Sequence, residues 1–231
     1  MSSEDQKRHS GEAAALRVED GMTVGLGTGS TAVWFVRALA QRVETEGLRI
    51  VGVPTSRATE GLALELGLKL TTLDLARSID LTVDGADEIG PGLALIKGGG
   101  GALLREKLVW EASKRCLVIA DAGKKVARLG KFPLPVEVVA FGHATTALRI
   151  CDALADSDIG MAPALRMKNG EPFLTDGGNV IYDIACGAIA DPAHLADGLK
   201  GVTGVVEHGL FLDLAEEAIL GTDAGVEILF P

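Results

Sequence analysis

Aromatic side chains are scarce in this chain. Phe, Trp and Tyr together make up 4% of the 231 residues, although hydrophobic residues reach 47%. Ala, Val, Leu and Ile must therefore fill the core of a soluble globular protein. Cysteine is scarcer still: Cys116, Cys151 and Cys186 are widely spaced, odd in number and form no Cys-x-x-Cys. That pattern excludes a disulfide framework or a cysteine-based zinc site and suits a reducing, cytoplasmic compartment. Basic residues are the minority, 22 against 32 acidic, a formal net charge of −10. No nucleic-acid partner is expected of such a chain, whereas a phosphate ligand needs only a local cluster of donors. No apolar run reaches the ~18 residues of a membrane span, so no membrane partner is expected. The polar opening MSSEDQKRHS does not read as a signal peptide. The four histidines (His9, His143, His194 and His208) have no metal-ligand spacing, so no metal is assigned.

What is present is alternation. MTVGLG reads as a strand, STAVWFVRALAQRV as a helix, LRIVGVPTS as a strand, RATEGLALELG as a helix and LKLTTLDL as a strand. SIDLTVDGADEI is a strand ending in an acidic turn. LALIKGGGG is a strand running into glycines, GALLREKLVWEAS a helix and RCLVIADAG a strand. Apolar strands alternating with helices predict an α/β domain with a parallel sheet covered on both faces. Ligands of such sheets sit at the C-terminal strand ends. After Gly130 the order becomes β-α-β-β-α-β: PLPVEVVAF, HATTALRICDALAD, GMAPALRMK, FLTDGGNVIYDIAC, DPAHLADGLKG and VVEHGLFL. This is the ferredoxin-like, α+β arrangement. The expected division is therefore residues 1–130 plus 207–231 in the first domain and 131–206 in the second. The tail LAEEAILGTDAGVEILF is expected to return to the first domain as a short helix and a strand.

Three glycine-bearing turns stand at predicted strand ends. The first, in VGLGTGSTA, offers Thr28, Gly29, Ser30 and Thr31. It is not a dinucleotide fingerprint, because Ser30 occupies the third glycine position and the next strand ends in Val53-Pro54-Thr55-Ser56 without an acid. It is not a Walker loop, because no Lys-Ser or Lys-Thr follows. Small side chains, hydroxyls and helix N-terminal N–H groups suit a compact phosphate monoester; an ordinary helix cap is the competing reading. In the second, VDGADEI, a strand delivers Asp84 to its tip, and Gly85, Ala86 and Asp87 follow. Paired carboxylates there can grip or deprotonate sugar hydroxyls or hold Mg²⁺, and a plain Asx turn competes. In the third, Lys97 precedes Gly98, Gly99 and Gly100. Consecutive glycines are costly in entropy, but their N–H groups beside a lysine suit a developing oxyanion.

Glu106 follows on a helix, with Ala102, Leu103, Val109 and Trp110 at three and four residues either way. Desolvation in such a setting raises a carboxyl's pKa toward that of a useful general base. Arg105 is flanked almost as apolarly, so a wholly buried helix with Glu106 paired to a lysine competes. Lys124, in ADAGKK, follows another strand end and is placed to reach a phosphate; a solvated lysine is the commoner fate.

Taken in order, TGST at 28–31, DGAD at 84–87, KGGG at 97–100, LLREK and ADAGK resemble the ribose-5-phosphate isomerase family of the A type. LGKFPLPVEVV at 129–139 and DGGNVIYD at 176–183 are similar to that family as well, and the resemblance runs from about Lys7 to the C-terminus. ADAGK has Gly where Ser is common, and Gly101, Leu103 and Leu104 fall where the motif varies. The resemblance implies a Rossmann-like domain plus a ferredoxin-like domain. It implies interconversion of D-ribose 5-phosphate and D-ribulose 5-phosphate without metal or organic cofactor. It makes Glu106 the base, with Asp84 and Lys97 in catalysis, and gathers the sugar phosphate among residues 28–31, 84–87, 97–100 and Lys124, with Lys7 near the phosphate. It also implies a homodimer or homotetramer. The competitors are a sugar-phosphate deaminase or a CoA transferase, whose glutamate would be a nucleophile, and a non-catalytic sugar-phosphate sensor. The sensor would lack the base and carry a basic DNA-binding segment, which is missing here.

Overall fold

The computed structural model describes residues 2–231, which form two compact units. The first comprises residues 2–86, Arg105–Lys125 and Asp213–Pro231; the second comprises Asp87–Leu104 and Val126–Leu212. Among the described residues no helix is long and apolar enough to cross a membrane.

The first unit holds α1 (Ser3–Ala15), β1 (Thr23–Leu26), α2 (Ser30–Glu46), β2 (Val51–Pro54), α3 (Arg57–Glu65) and β3 (Leu81–Gly85). It also holds most of α4 (Leu103–Glu111), then β6 (Cys116–Asp121), β14 (Glu217–Thr222) and β15 (Gly225–Leu229). Its six-stranded sheet runs β15-β14-β6-β3-β1-β2 and is parallel except for the β14–β15 hairpin. β6 is buried along its whole length, as a strand covered on both faces must be. Val24, Leu26, Phe35, Leu39, Leu81, Val83 and Ile119 pack into one aliphatic core with a single large aromatic, as the composition requires. From β1 the chain steps to β2 on one side and then to β3 on the other. The β1/β3 boundary is therefore the switch point at which α/β sheets open a crevice at their C-terminal edge.

The alternate glycines of VGLG have a packing cause. A Cβ at Gly25 would lie 1.9 Å from Thr82 Oγ1, and one at Gly27 would lie 2.3 Å from Asp84 Oδ1. Side chains of β3 lie over β1 at those two positions. Gly29, by contrast, takes φ +107°, a backbone conformation open to glycine.

The second unit contains β4 (Glu88–Ile89), β5 (Leu95–Ile96), β7 (Leu134–Val138), α5 (His143–Ala155), β8 (Ala164–Leu165), β9 (Met167–Lys168) and β10 (Glu171–Pro172). β11 (Val180–Ile184), α6 (Pro192–Lys200), β12 (Val205–His208) and β13 (Leu210–Phe211) complete it. The sheet order β12-β7-β11-β8, antiparallel throughout, is that of the ferredoxin-like arrangement. A small sheet β13-β5-β4 stands beside it in the chain order. Residues 87–104, 126–130 and 207–212 thus group with the second unit rather than with the first as the pattern suggested, and this pairing accounts for the first and last of these segments. The β4–β5 hairpin hydrogen-bonds to β13, the direct continuation of β12.

Four predicted elements differ. GMAPALRMK is not one strand but β8 and β9, which pair in different sheets. LKLTTLDL is not a strand: only Leu70 makes an isolated bridge, to Gly52, and residues 73–75 form a turn. The tail forms the β14–β15 hairpin rather than a helix and a strand. FLTDGGNVIYDIAC is strand only over Val180–Ile184, because Gly178 at φ +79° turns the chain before it.

Candidate active site

Three strands of the first unit converge their C-terminal ends on the residues singled out in the sequence. β1 runs into residues 28–31. Gly29 caps α2 without any side-chain bond, so the first N–H groups of a 17-residue helix are left to backbone and ligand. Ser30 is exposed and Thr31 is buried at 8% exposure. Thr28 is different, because its N–H donates to Asp84 Oδ1 (2.9 Å) and its hydroxyl is the centre of a cluster. Thr28 Oγ1 lies 2.7 Å from Thr55 Oγ1, 2.8 Å from Ser56 Oγ and 3.1 Å from Thr59 Oγ1. Thr55 and Thr59 in turn donate to the carbonyls of Leu26 (3.0 Å) and Gly27 (2.9 Å). Ser56 also caps α3 by accepting from Thr59 N–H. The cluster therefore ties the end of β1 to the start of α3, and both donors of Thr28 face into the protein.

β3 delivers Asp84, fully buried, to the switch point. Its Oδ1 accepts N–H bonds from both Thr28 (2.9 Å) and Gly85 (2.7 Å), so one carboxylate oxygen clamps the two turns together. Lys124 closes the short helical turn after β6, where Asp121 accepts from Gly123 N–H (3.0 Å), and it is partly exposed. Lys7 lies on α1, its side chain 18% exposed and 3.5 Å from Glu4 Oε2. Its neighbour Gln6 accepts from Ala122 N–H (3.3 Å), and Glu4 accepts from Trp34 Nε1 on α2 (2.7 Å). The first turns of α1 thus reach both the start of α2 and the turn that carries Lys124. α1 itself was not read from the sequence; its Ser2 capping box was the available signal.

On α4 the two faces separate. Glu106 is 4% exposed, Val109 2% and Trp110 1%, whereas Leu108 is 46% exposed. Glu106, not Arg105, takes the buried face, and the helix is not buried all round. Lys107 is also buried, at 6%.

In the second unit, Lys97 is 2% exposed and its Nζ lies 5.3 Å from the centroid of the Phe211 ring. Its backbone N–H donates to Gly209 O (2.9 Å). Gly98 (φ +104°) and Gly101 (φ +81°) frame a turn closed by Gly101 N–H to Gly98 O (3.0 Å). Within it, Gly99 N–H donates to Asp87 Oδ2 (2.7 Å), so the acidic turn and the glycine turn are joined in this unit. A Cβ on Gly99 would sit 2.6 Å from Asp87 Oδ1, so a larger residue there would displace the Asp87 carboxylate. Gly99 and Gly100 are exposed.

Sequence reasoning passed over Thr55, Ser56 and Thr59. The signal for them is in the PTSRAT stretch, which sets three hydroxyls at one strand end. It also passed over Arg166 and Asp183. Among the described residues no group of three or more His, Cys, Asp or Glu is arranged to hold a metal ion.

Residues 51–225 match the model of the family described as ribose 5-phosphate isomerase A (phosphoriboisomerase A). The chain belongs to the ribose 5-phosphate isomerase A family. It is 68% identical over 231 residues to the ribose-5-phosphate isomerase A of Caulobacter sp. strain K31, with both chains covered in full. It is 65% identical over 232 residues to that of Caulobacter vibrioides strain NA1000 / CB15N, again with full coverage. Among solved structures, ribose 5-phosphate isomerase A from Methanocaldococcus jannaschii superposes with a TM-score of 0.92 at 38% identity, covering 100% of both chains. A D-ribose-5-phosphate isomerase in complex with phospho-erythronic acid superposes at 0.93 with 36% identity and the same coverage.

Proposed function

We infer that the protein interconverts D-ribose 5-phosphate and D-ribulose 5-phosphate, the aldose–ketose step of the non-oxidative pentose phosphate route. The observation that carries this reading is full-length identity of 68% to a ribose-5-phosphate isomerase A, with Glu106 buried on the helix that follows the KGGGG turn. The neighbouring isomerase solved with phospho-erythronic acid supports a sugar phosphate as the ligand class.

The proposed chemistry follows from the residues. Asp84 moves the proton that opens the furanose ring. Glu106 removes the proton from C2 of the open aldose and returns it to C1 of the cis-enediolate, while the hydroxyl proton passes from O2 to O1, which yields the ketose. A positioned base contributes ~10²–10⁴-fold. Lys97 and the N–H groups of the glycine turn other than Gly99, which is held by Asp87, stabilise the charge that develops on O1 and O2, at ~10²–10³-fold per donor. The turn at 28–31, with Lys124, takes the 5-phosphate; Gly85, Ala86 and Asp87 take sugar hydroxyls. No metal or organic cofactor enters this scheme. The proposed setting is cytoplasmic, and the proposed assembly is a homodimer or homotetramer. Phe141, 93% exposed, and Leu148, 70% exposed, offer apolar surface on the second unit for self-association.

The test is turnover of ribose 5-phosphate after exhaustive dialysis against a chelator, with free ribose as comparator. Full activity on the phosphate ester and a much lower kcat/KM on ribose is the expected result. A thioester trapped from an acyl-CoA would favour the transferase instead. Loss on chelation with recovery on Mg²⁺ would move Asp84 and Asp87 to a metal.

A further inference from the structure

We propose that Arg166, held by Asp183, is a positioning residue for the isomerisation: it orients the peptide planes of the glycine turn so that Gly99 N–H meets Asp87 and Gly100 N–H faces away from the guanidinium, toward the enediolate. The proposal deepens the reading of residues 97–100 as oxyanion donors and rests on it.

A run of glycines cannot hold its own shape. It has no side chains to pack and the widest choice of backbone conformations, so its geometry must be imposed by neighbours. In the second unit Arg166 supplies that constraint. Its Nη1 donates to Gly98 O (2.9 Å) and to Gly99 O (3.3 Å). Its Nε donates to Asp183 Oδ2 (2.8 Å), and Nη2 donates to Asp183 Oδ1. That two-pronged pair fixes the guanidinium plane. The backbone of Arg166 is pinned as well, its N–H on Ile181 O (2.8 Å) and its carbonyl accepting from Phe173 N–H (2.8 Å). The guanidinium carbon lies 5.9 Å from the centroid of the Phe173 ring. The same ring fills the space where a Cβ on Gly101 would fall, at 2.4 Å.

The consequence follows from peptide geometry. In a trans peptide the C=O of one residue and the N–H of the next point in opposite directions, and no described peptide bond is cis. With the carbonyls of Gly98 and Gly99 drawn to Arg166, the N–H groups of Gly99 and Gly100 must project from the other side of the turn. Gly99 N–H does so and is taken there by Asp87 Oδ2 at 2.7 Å, which leaves Gly100 N–H, on the same side of the turn, as the donor to the enediolate. A charged donor on each carbonyl also polarises the peptide and strengthens its N–H as a donor. An Arg166–Asp183 pair that served only to hold β11 would not need Nη1 on two carbonyls of a turn 67 and 68 residues away in the chain.

The test uses the full-length enzyme with Arg166→Met, Arg166→Lys and Asp183→Asn, and Lys97→Met beside them. We would measure kcat and KM for ribose 5-phosphate, inhibition by phospho-erythronic acid, whose carboxylate stands in for the enediolate oxygens, and inhibition by inorganic phosphate. Arg166→Met should lower kcat at least ~10-fold and weaken phospho-erythronic acid by a similar factor, since its donors are misdirected rather than deleted. KM and phosphate inhibition should stay within about threefold, because binding remote from the reacting carbons is untouched. Arg166→Lys and Asp183→Asn should show the same split at smaller size. Unchanged kcat in a folded Arg166→Met protein overturns the proposal, and so does a loss shared equally by kcat, KM and phosphate inhibition. Should Arg166→Met not fold, Asp183→Asn decides by the same criteria. Full kcat in Lys97→Met sinks the oxyanion reading of the turn and this inference with it. A loss there with none in the Arg166 variants sinks this inference alone.

Discussion

Replacing Thr28 with Val keeps its shape and removes one hydroxyl from the centre of the cluster beneath the turn at 28–31. The structure sets the size of the effect. Thr55 and Thr59 keep the carbonyls of Leu26 (3.0 Å) and Gly27 (2.9 Å), and Ser56 keeps Thr59 N–H (3.1 Å), so no buried hydroxyl is orphaned. The cost is then the net worth of the bonds made by Thr28 Oγ1, ~0.5–1.5 kcal/mol each. Three neighbours share the single proton of Thr28, which brings the total to about 1–2 kcal/mol. At roughly 2–4 °C per kcal/mol for a chain of this size, the melting temperature should fall by roughly 2–8 °C. A hydroxyl bonded directly to a dianionic phosphate would instead cost ~1.5–3 kcal/mol of kcat/KM, and only for the phosphorylated substrate. Both donors of Thr28 face inward, so Thr28→Val should show the thermal shift with a loss in kcat/KM below about tenfold, whereas Ser30→Ala should show the larger, phosphate-dependent loss. Paired melting curves and kinetics on ribose 5-phosphate and free ribose decide it. An unshifted melting temperature with a hundredfold loss confined to the phosphate ester would mean that Thr28 Oγ1 binds the phosphate itself and that its role as an internal hub is wrong.

Two further outcomes follow from single residues. Gly29 sits at φ +107°, ψ 176° with nothing within 4 Å of an added Cβ, so Gly29→Ala carries a purely conformational cost. It should destabilise by ~1–3 kcal/mol and raise KM for ribose 5-phosphate; a melting curve and KM both unchanged would refute it. Burial holds the Glu137 carboxyl above its ordinary value of 4.5, with the charge of Glu207 adding to the rise and the bonds from Asn179 and Thr175 opposing it. The folded chain therefore keeps this proton at pH values just above 4.5, where the unfolded chain has released it. Its contribution to stability is full below 4.5 and is lost as pH rises through the folded value. Glu137→Gln should remove that dependence, so wild type should gain on the variant as pH falls toward 4.5 in denaturant titrations; a gap independent of pH would contradict it.

Much of the candidate site was legible because strand alternation and glycine placement are local signals. The period-two pattern of Leu81 and Val83 against Thr82 and Asp84 put Asp84 at a strand tip, and it lies there, fully buried. What was illegible depends on pairing across long sequence separations. Gly25 and Gly27 match the first two glycines of a dinucleotide fingerprint, but Thr82 and Asp84 on the neighbouring strand are what require them. Asp84 and Asp87 looked like one turn, yet the β4–β5 hairpin draws Asp87 into the second unit. The tail AEEAILG has helix-forming composition, but parallel pairing of β14 with β6 overrides that preference. Arg166 carried no local mark at all, since its partners Gly98 and Asp183 lie on separate stretches of chain.

The central claim is that Glu106 carries the proton between C2 and C1. Its most direct measurement is exchange of the C2 proton of ribose 5-phosphate in heavy water, with wild type and with Glu106→Gln, which keeps the shape and removes the basicity. Exchange and kcat should fall together by at least ~10²-fold in the variant, with KM little changed. Exchange and turnover near wild-type rates in a folded Glu106→Gln protein would contradict the account.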